Sequence, residues 1–321
     1  MLKIQKLSLA ALMVSAVVSG SVFAEDKAAP SASDASYAVG ALMGNQVKDL
    51  VEAQKEVIQY DNARILDGLK DALEGKVDVR KDEKIQKLSL AALMVSAVVS
   101  GSVFAEDKAA PSASDASYAV GALMGNQVKD LVDAQKEVIQ YDNARILDGL
   151  KDALEGKVDV RKDEKIQKTL DGIQEQLVSA AKAKVEQQAK AAKEEGDKYR
   201  AEFAKKDGVK STKDGLLYKI TEAGKGDAIK ATDTVKVHYT GKLPDGKVFD
   251  SSVERGQPVE FKLNQVIKGW TEGLQLVKKG GKIELVIPPE LAYGKQGAGD
   301  AIPPDATLYF EVEVLDVNPK K

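Results

Sequence analysis

The fold of the C-terminal half is decided by VKVHYTGKLPDGKVFDSSVERGQPVEFKL, residues 235–263. In its first segment Val237 and Tyr239 alternate with polar residues. This period of two predicts a strand with one apolar face and places His238, the only His, on the opposite face. The tripeptide Pro-Asp-Gly at 244–246 predicts a tight turn into the following strand. The stretch therefore predicts antiparallel strands joined by short turns.

Strand patterns continue on either side of this stretch, and one short helix is predicted among them. The predicted strands are residues 216–222, 234–243, 247–250, 259–263, 282–287 and 308–317, and the predicted helix is 266–276. Such a run of strands with a single helix predicts an antiparallel half-barrel sheet wrapped on that helix. With the helical first half described next, the predicted fold class is α+β.

The chain before Asp207 is predicted to be helical. Apolar residues recur at helical spacing in residues 117–132, and a second helix is predicted from an N-cap at Asp142 to a stop at Gly156. Residues 162–206 contain no Pro and predict a helix of about 40 residues, whose last part is expected to act as a stalk. Two short amphipathic helices cannot bury their apolar stripes alone. We therefore expect a homodimer through these helices.

The N-terminal part of the chain is duplicated. Residues 3–84 recur at 84–165, 81 positions later, and the only difference is Glu52 against Asp133. Repeats of a solenoid diverge in sequence while they keep a pattern, and these copies have barely diverged. The near identity indicates a recent tandem duplication or an assembly error.

Each copy includes a segment typical of a secretory signal peptide. Residues 1–24 have a basic start, an apolar run shorter than the ~20 residues that span a membrane, and a cleavage signal after Ala24. The internal copy offers a second cleavage site after Ala105; if it is retained, we expect residues 88–103 to be buried against the helical part. The sequence EDKAAPSASDAS that follows each signal is interpreted as a mobile linker.

The predicted organisation thus has five segments. They are a signal peptide (1–24), a first copy of linker and N-terminal helical segment (25–84), an internal signal-like segment (85–105), a helical dimerisation module with a long stalk helix (106–206) and a C-terminal domain (207–321).

Composition excludes several classes of function. The 321 residues carry 47 Lys and Arg against 50 Asp and Glu, so there is no basic excess to bind nucleic acid. Without Cys and with one His, disulfides, thiolate nucleophiles and multi-His metal sites are excluded. Residues 294–299, GKQGAG, have neither Rossmann nor P-loop spacing. We expect no metal and no cofactor.

Large aromatic rings are numerous for a domain with one short helix. We expect some of them to line a concavity, because the core of such a domain has little room for them. The rings are those of Tyr239, Phe249, Phe261, Trp270, Tyr293 and Phe310.

Four motifs carry a resemblance to a known family. They are residues 235–263, then VIKGWTEGL at 266–274, KKGGKIELVIPPELAYG at 278–294 and IPPDATLYFEVEVLDV at 302–317. Their order and spacing resemble the FKBP family of peptidyl-prolyl cis-trans isomerases, over nearly all of residues 208–317. The helical half with its cleavable signal resembles the FkpA and macrophage-infectivity-potentiator branch, which implies a dimeric periplasmic or surface protein of Gram-negative bacteria.

The resemblance also implies a pocket with Trp270 as its floor. Its polar points would be the Asp250 carboxylate and the Tyr293 hydroxyl, and the Ile267 backbone N–H would hold the substrate carbonyl. The implied walls are Tyr239, Phe249, Phe261, Val266, Ile267, Tyr293, Ile302 and Phe310. Three rim positions depart from the family pattern. Val259, which we still count among the substrate-binding residues, occupies a position where the family commonly has an aromatic residue. Ala298 occupies a position where a His is often found, and Ala301 one where a larger aliphatic residue is usual.

The implied activity is isomerisation of X-Pro bonds during folding of exported proteins, with chaperone activity. The alternative is a dimeric holding chaperone with incidental turnover. The expected partners are unfolded or proline-containing polypeptides and a second chain, and neither nucleic acid nor a stable membrane span is expected. The expected location is the periplasm, with association to the outer membrane or cell surface left open.

Overall fold

The computed structural model describes residues 29–94 and 112–319. The chain forms two compact units, one up to Ala180 and one from Ala181. The predicted signal peptide lies outside the described residues, as does the internal signal-like segment after Met94, so the boundaries of these segments stay predictions. No helix in the described ranges is both long and apolar enough to cross a membrane.

Helices build the described part of the first unit. They are α1 (Ala32–Gln54), α2 (Asn62–Leu73), α3 (Glu83–Met94), α4 (Ala113–Gln135), α5 (Asn143–Leu154) and the first part of α6 (Glu164–Phe203). The predicted N-cap at Asp142 is confirmed, because its side chain accepts from two backbone N–H groups of α5. The predicted stop is also confirmed, since Gly156 follows with a φ of 75°.

The predicted mobile linkers are partly wrong. The first helix of each copy begins inside EDKAAPSASDAS, where Ser31 accepts from the Asp34 backbone N–H at 3.0 Å and Ser112 from Asp115 at 3.1 Å. Ser is a favoured N-cap, and a carboxylate in the first turn suits the positive end of the helix dipole. The small polar residues thus start a helix in both copies.

The helices of the two copies pack crosswise. Helix α1 of the first copy packs against α5 of the second, and α4 of the second packs against α2 of the first. The expectation that the short helices need a partner surface is confirmed, and in this chain the other copy supplies it.

The expected burial of residues 88–103 can be followed only at its beginning. Leu88 on α3 is half-buried against a cluster that contains Ala119 and Ala122 of α4. The remaining side chains of that stretch lie outside the described ones, apart from Ser89, which is buried.

The predicted long helix is confirmed as α6, with 40 residues, but the position of its free part differs from the prediction. Residues 181–188 are all exposed, as a stalk requires. The end of the helix is not free, because Phe203 is fully buried, with ring centroids 6.4 Å from Tyr199 and 6.1 Å from Tyr309. Burial of these aromatic rings fixes the end of α6 on the sheet of the second unit.

The sheet of the second unit is antiparallel throughout its described strands. They are β1 (Lys210–Ser211), β2 (Leu217–Glu222), β3 (Thr234–Lys242), β4 (Val248–Ser251), β5 (Val259–Lys262), β6 (Lys282–Ile287) and β7 (Leu308–Val317). The strand order is β1-β2-β6-β7-β3-β4, and β5 also pairs with β3. All predicted strands are present, while the two-residue β1 is too short to give a pattern.

The core of the second unit lies between the sheet and one short helix, α7 (Lys268–Gly273). Residues of β3 alternate between buried and half-buried, which puts Val237 and Tyr239 on the core face. Trp270 of α7 belongs to the same buried cluster. The α+β class and the antiparallel sheet over one helix are confirmed.

Candidate active site

Strand β3 brings the aromatic rings of the second unit together. Tyr239 is buried on its core face, and two residues later Gly241 presents no side chain to that face. A Cβ at Gly241 would lie 2.6 Å from Cζ of Phe249 and 2.7 Å from Cε1 of Phe310. A real side chain there would have to displace the rings, so glycine is what lets both of them reach the strand.

Trp270 lies at the centre of the ring cluster and is 4% exposed. Its centroid is 5.1 Å from Tyr239, 5.3 Å from Phe310 and 5.5 Å from Phe261, at interplanar angles of 81° to 86°. Edge-to-face pairs at such distances are favourable, because the positive ring edge meets the negative ring face. The rings therefore hold one another in a fixed arrangement.

This cluster borders an open cavity of about 480 Å³. Its size falls in the range of small-molecule and peptide side-chain pockets, and its lining is mostly apolar with few polar groups. The lining residues are Tyr239, Phe249, Asp250, Phe261, Gln265, Val266, Ile267, Trp270, Tyr293 and Phe310.

Most residues implied by the resemblance are brought together here, and two of them are not part of the lining. Val259 is half-buried in β5 and pairs with Val237 of β3. Ile302 is buried in the core, where its backbone forms a bridge with Ala298. His238 lies outside this lining, as predicted, and its Nδ1 is 3.1 Å from the Ser252 hydroxyl.

The polar edge of the cavity is a three-membered network. The Asp250 carboxylate accepts hydrogen bonds from the Tyr239 hydroxyl and from the Arg255 guanidinium. Nη2 of Arg255 also donates to the Tyr239 hydroxyl oxygen at 3.1 Å, and the guanidinium lies 5.8 Å from the centroid of that ring. Two side chains, those of Tyr239 and Arg255, thus fix the position of the Asp250 carboxylate.

Opposing effects act on the pKa of Asp250. Partial burial acts to raise it, but the hydrogen bonds from Tyr239 and Arg255 and the positive charge of Arg255 outweigh burial, so the pKa lies below its ordinary value. Burial, followed by the hydrogen bond to Asp250, raises the pKa of Tyr239. At neutral pH the pair is therefore an ionised carboxylate and a protonated phenol.

Two residues of the site were not predicted from the sequence. Arg255 follows Asp250 by five positions in a loop, and this spacing alone does not show that the two side chains pair. Gln265 lies in a short 3-10 turn, Leu263–Gln265, which the sequence pattern merges with the neighbouring strand and helix. A search for a cation near a motif carboxylate could have found Arg255 but not Gln265.

Three hydrogen-bond donors of the cavity have no acceptor within the described residues. They are the hydroxyl of Tyr293, which is 42% exposed, the backbone N–H of Ile267 directly before α7, and the indole N–H of Trp270, which is buried. A buried donor without an acceptor costs about 1–3 kcal/mol. Unpaired donors beside an apolar cavity can bind an acceptor such as an amide carbonyl.

Comparison with known proteins identifies both units. Residues 225–315 match the family model described as FKBP-type peptidyl-prolyl cis-trans isomerase. Residues 32–108 and 113–220 each match the model of the domain amino terminal to that isomerase. The second model therefore matches once in each copy of the duplicated part.

Relatives are similar over most of their own length. A probable FKBP-type peptidyl-prolyl cis-trans isomerase of Haemophilus influenzae is 77% identical over 237 residues, which are 74% of this chain and 98% of the relative. The FKBP-type isomerase FkpA of Escherichia coli K12 is 48% identical over 203 residues, 63% of this chain and 74% of FkpA. The crystal structure of FkpA from Escherichia coli has a TM-score of 0.54 at 46% identity and covers 64% of this chain and 96% of that chain. The chain belongs to the family of FKBP-type peptidyl-prolyl cis-trans isomerases.

Proposed function

We propose that the aromatic cavity binds the proline side of an X-Pro bond and catalyses its rotation while exported proteins fold. The observation that carries this proposal is the cavity of about 480 Å³ walled by rings around Trp270, with free hydrogen-bond donors beside them. A proline ring is apolar and compact, and the preceding carbonyl needs a donor. The cavity offers both surfaces.

The reaction needs no nucleophile. The X-Pro bond has partial double-bond character, with a rotation barrier of ~18–20 kcal/mol, and rotation in water takes tens to hundreds of seconds. The planar amide is more polar than the twisted transition state, so an apolar cavity that excludes water favours twisting. An acceleration of about 10⁶-fold requires about 8 kcal/mol of preferential transition-state stabilisation.

The cavity residues take separate roles in this proposal. Trp270 forms the floor against which the proline ring packs, and the Ile267 N–H holds the substrate carbonyl. The Tyr293 hydroxyl donates a second hydrogen bond at the rim, and Asp250 is the charged point that orients the amide. Preorganised donors of this kind contribute by holding the substrate in a near-rotated geometry.

The substrates we propose are unfolded or proline-containing polypeptides in the periplasm. Support comes from the two sequence segments typical of Sec-type signal peptides. Association with the outer membrane or cell surface stays an alternative location. Fractionation of cells, with the protein followed by antibody, tests this: recovery in the periplasmic extract supports the proposal, and recovery with outer-membrane fragments supports the alternative.

The competing function is that of a holding chaperone with incidental turnover. It is favoured by the helical unit, which the isomerase reaction itself does not need. A homodimer through the N-terminal helices belongs to the same proposal. We propose it for a chain that carries one copy of the helical segment, because in the present chain the two copies contact each other.

The experiment that separates the functions replaces two cavity groups together, Tyr293→Phe with Asp250→Asn. The matched control is Tyr218→Phe with Asp227→Asn, at two positions outside the cavity lining. Both proteins are assayed for proline-limited refolding and for suppression of aggregation. We expect isomerase kcat/KM to fall about 20-fold to 100-fold in the first variant only, with aggregation suppression retained. Undiminished isomerase activity would show that the assigned site is wrong, and joint loss of both activities would exclude independent chaperoning.

A further inference from the structure

The contacts between the two copies occur as matched pairs. Four side-chain contacts that the first copy makes to the second are repeated, at the equivalent positions, by the second copy to the first. The Tyr37 hydroxyl donates to Asp152 at 3.0 Å and the Tyr118 hydroxyl to Asp71 at 2.9 Å. The backbone N–H of Asp142 donates to the Ser36 hydroxyl, and that of Asp61 donates to the Ser117 hydroxyl. The backbone N–H of Val160 donates to the Asn45 side chain, and that of Val79 donates to the Asn126 side chain. Arg161 forms an ion pair with Asp49, and Arg80 forms the equivalent pair with Asp130.

Close helix contacts show the same symmetry. A Cβ at Gly40 of α1 would lie 1.9 Å from the backbone oxygen of Ile146 in α5. A Cβ at Gly121 of α4 would lie 2.0 Å from the backbone oxygen of Ile65 in α2. Both crossings need a residue without a side chain, because any Cβ would overlap the neighbouring backbone. The two crossings are equivalent, so the copies are related by an approximate two-fold axis.

The apolar stripes of α2 and α5 are covered by the opposite copy. Leu69 and Leu150 are fully buried in one shared cluster that also contains Met43 and Val128. A helix of twelve residues such as α2 is not stable in water without such packing. Folding of either copy in this arrangement therefore requires the other.

We infer that the duplication makes one chain supply both halves of an intertwined helical assembly, so that this chain is a monomer with a single isomerase unit. A chain with one copy has the same apolar stripes and the same glycine crossings but no opposite copy. It can build the assembly only from two chains and then carries two isomerase units. The number of active sites per assembly therefore depends on the number of copies in each chain.

The choice of signal cleavage site sets that number. Cleavage after Ala24 leaves both copies in the exported protein, whereas cleavage after Ala105 removes the first copy and leaves one. Two isomerase units in one assembly can hold a single unfolded polypeptide at two points, which strengthens binding through a high effective concentration. Processing therefore controls whether clients are bound at one point or at two.

Cross-linking tests the intertwined arrangement directly, since the chain has no Cys of its own. The variant Asp49→Cys with Arg161→Cys joins exposed positions that form a 3.3 Å ion pair between the copies. The control Asp49→Cys with Arg80→Cys joins the positions that would pair if each copy folded on itself. After treatment with a short bis-maleimide, we expect the first pair to cross-link within one chain and the control pair to react poorly. Efficient reaction of the control pair alone would overturn the inference.

Native mass spectrometry supplies the second readout, for the full chain cleaved after Ala24 and for a variant that lacks residues 84–164. We expect one chain per particle for the first protein and two for the second, with equal isomerase kcat/KM per chain. A dimer of the full chain with cross-links between chains, or a folded monomer of the one-copy variant, would contradict the inference. If neither protein has isomerase activity, that result counts against the proposed site and not against the intertwined arrangement.

Discussion

The helical unit and the aromatic cavity differ in how their polar groups find partners. Across the two copies, the hydroxyls of Tyr37 and Tyr118 both donate to carboxylates at close to 3 Å. Beside the cavity, the Tyr293 hydroxyl and the indole N–H of Trp270 have no acceptor within the described residues. In the helical unit Gln127 is an exception, since its buried Oε1 has no donor. The paired groups hold the two copies together, whereas unpaired donors beside apolar walls are available to bind a ligand.

The largest expected effect comes from separating the crossed helices. In Gly121→Ala the new Cβ would overlap the backbone oxygen of Ile65 at 2.0 Å, so the helices must move apart. We expect the helical unit to lose about 3 kcal/mol or more of stability, as for severe overpacking. Urea unfolding followed by far-UV circular dichroism measures this loss, and isomerase kcat/KM should stay at the wild-type value.

Gly172→Ala in α6 is the matched control. Its Cβ would meet only Cδ and Cγ of Pro30, at 3.0 and 3.4 Å, so a shift of a few tenths of an ångström accommodates it. We expect a stability change within about 1 kcal/mol, in the stabilising direction, because Ala favours helix over Gly. Equal unfolding curves for the Gly121 and Gly172 variants would refute the close crossing.

The second prediction breaks the cavity and leaves the helical unit intact. Gly241→Ala places a Cβ within 2.7 Å of both Phe249 and Phe310, so the rings must shift. We expect the displaced rings to weaken transition-state binding by about as much as overpacking destabilises a core, about 1–3 kcal/mol. That is about a 5-fold to 150-fold loss of kcat/KM, measured by NMR exchange on an X-Pro peptide. Wild-type kcat/KM in this variant would mean that the ring arrangement does not matter for catalysis.

The third prediction concerns the carboxylate of the cavity. Asp250→Asn weakens two hydrogen bonds that involve its charge, and we expect kcat/KM to fall about tenfold. Partial solvent exposure screens the pair with Arg255, so the effect should be smaller than for Gly241→Ala. The control Asp227→Asn should retain full activity in the same peptide assay.

The same carboxylate predicts a pH dependence of stability. The folded-state pKa of Asp250 lies below its ordinary value of 3.8, so its ionised form stabilises the fold above about that pH. The contribution is lost as the pH falls through the lower folded-state pKa. In acid titrations of urea stability, the wild type should lose more stability below pH 3.8 than Asp250→Asn does. Parallel curves for the two proteins would contradict the assignment.

The smallest effect is expected at Tyr293. Tyr293→Phe removes one donor at the rim and keeps the ring, and a neutral hydrogen bond contributes about 0.5–1.5 kcal/mol. We therefore expect kcat/KM to fall about twofold to tenfold, with unchanged thermal unfolding. Tyr218→Phe, outside the cavity lining, is the control, and an equal loss in both variants would point to a general effect of the substitution.

Most strands, the short helices and the long helix could be predicted from the sequence because they follow local periodicity. The rings of the cavity could be predicted because they lie in long motifs. The sequence could not predict that α1 pairs with α5, since two near-identical copies give the same pattern whether each folds on itself or on the other. It also missed the partnership of Arg255 with Asp250, which depends on the path of a loop. Burial of Phe203 at the end of α6 was missed because a lone aromatic among charged residues gives little periodic signal.

The most direct test of the cavity as the binding site is an NMR titration of its single Trp. Because Trp270 is the only Trp of the chain, its indole N–H gives one assignable resonance. On addition of an X-Pro peptide, we predict a saturable shift of this resonance and none with the matching X-Ala peptide. If the peptide is isomerised while the Trp270 resonance does not move, the cavity is not where the reaction takes place.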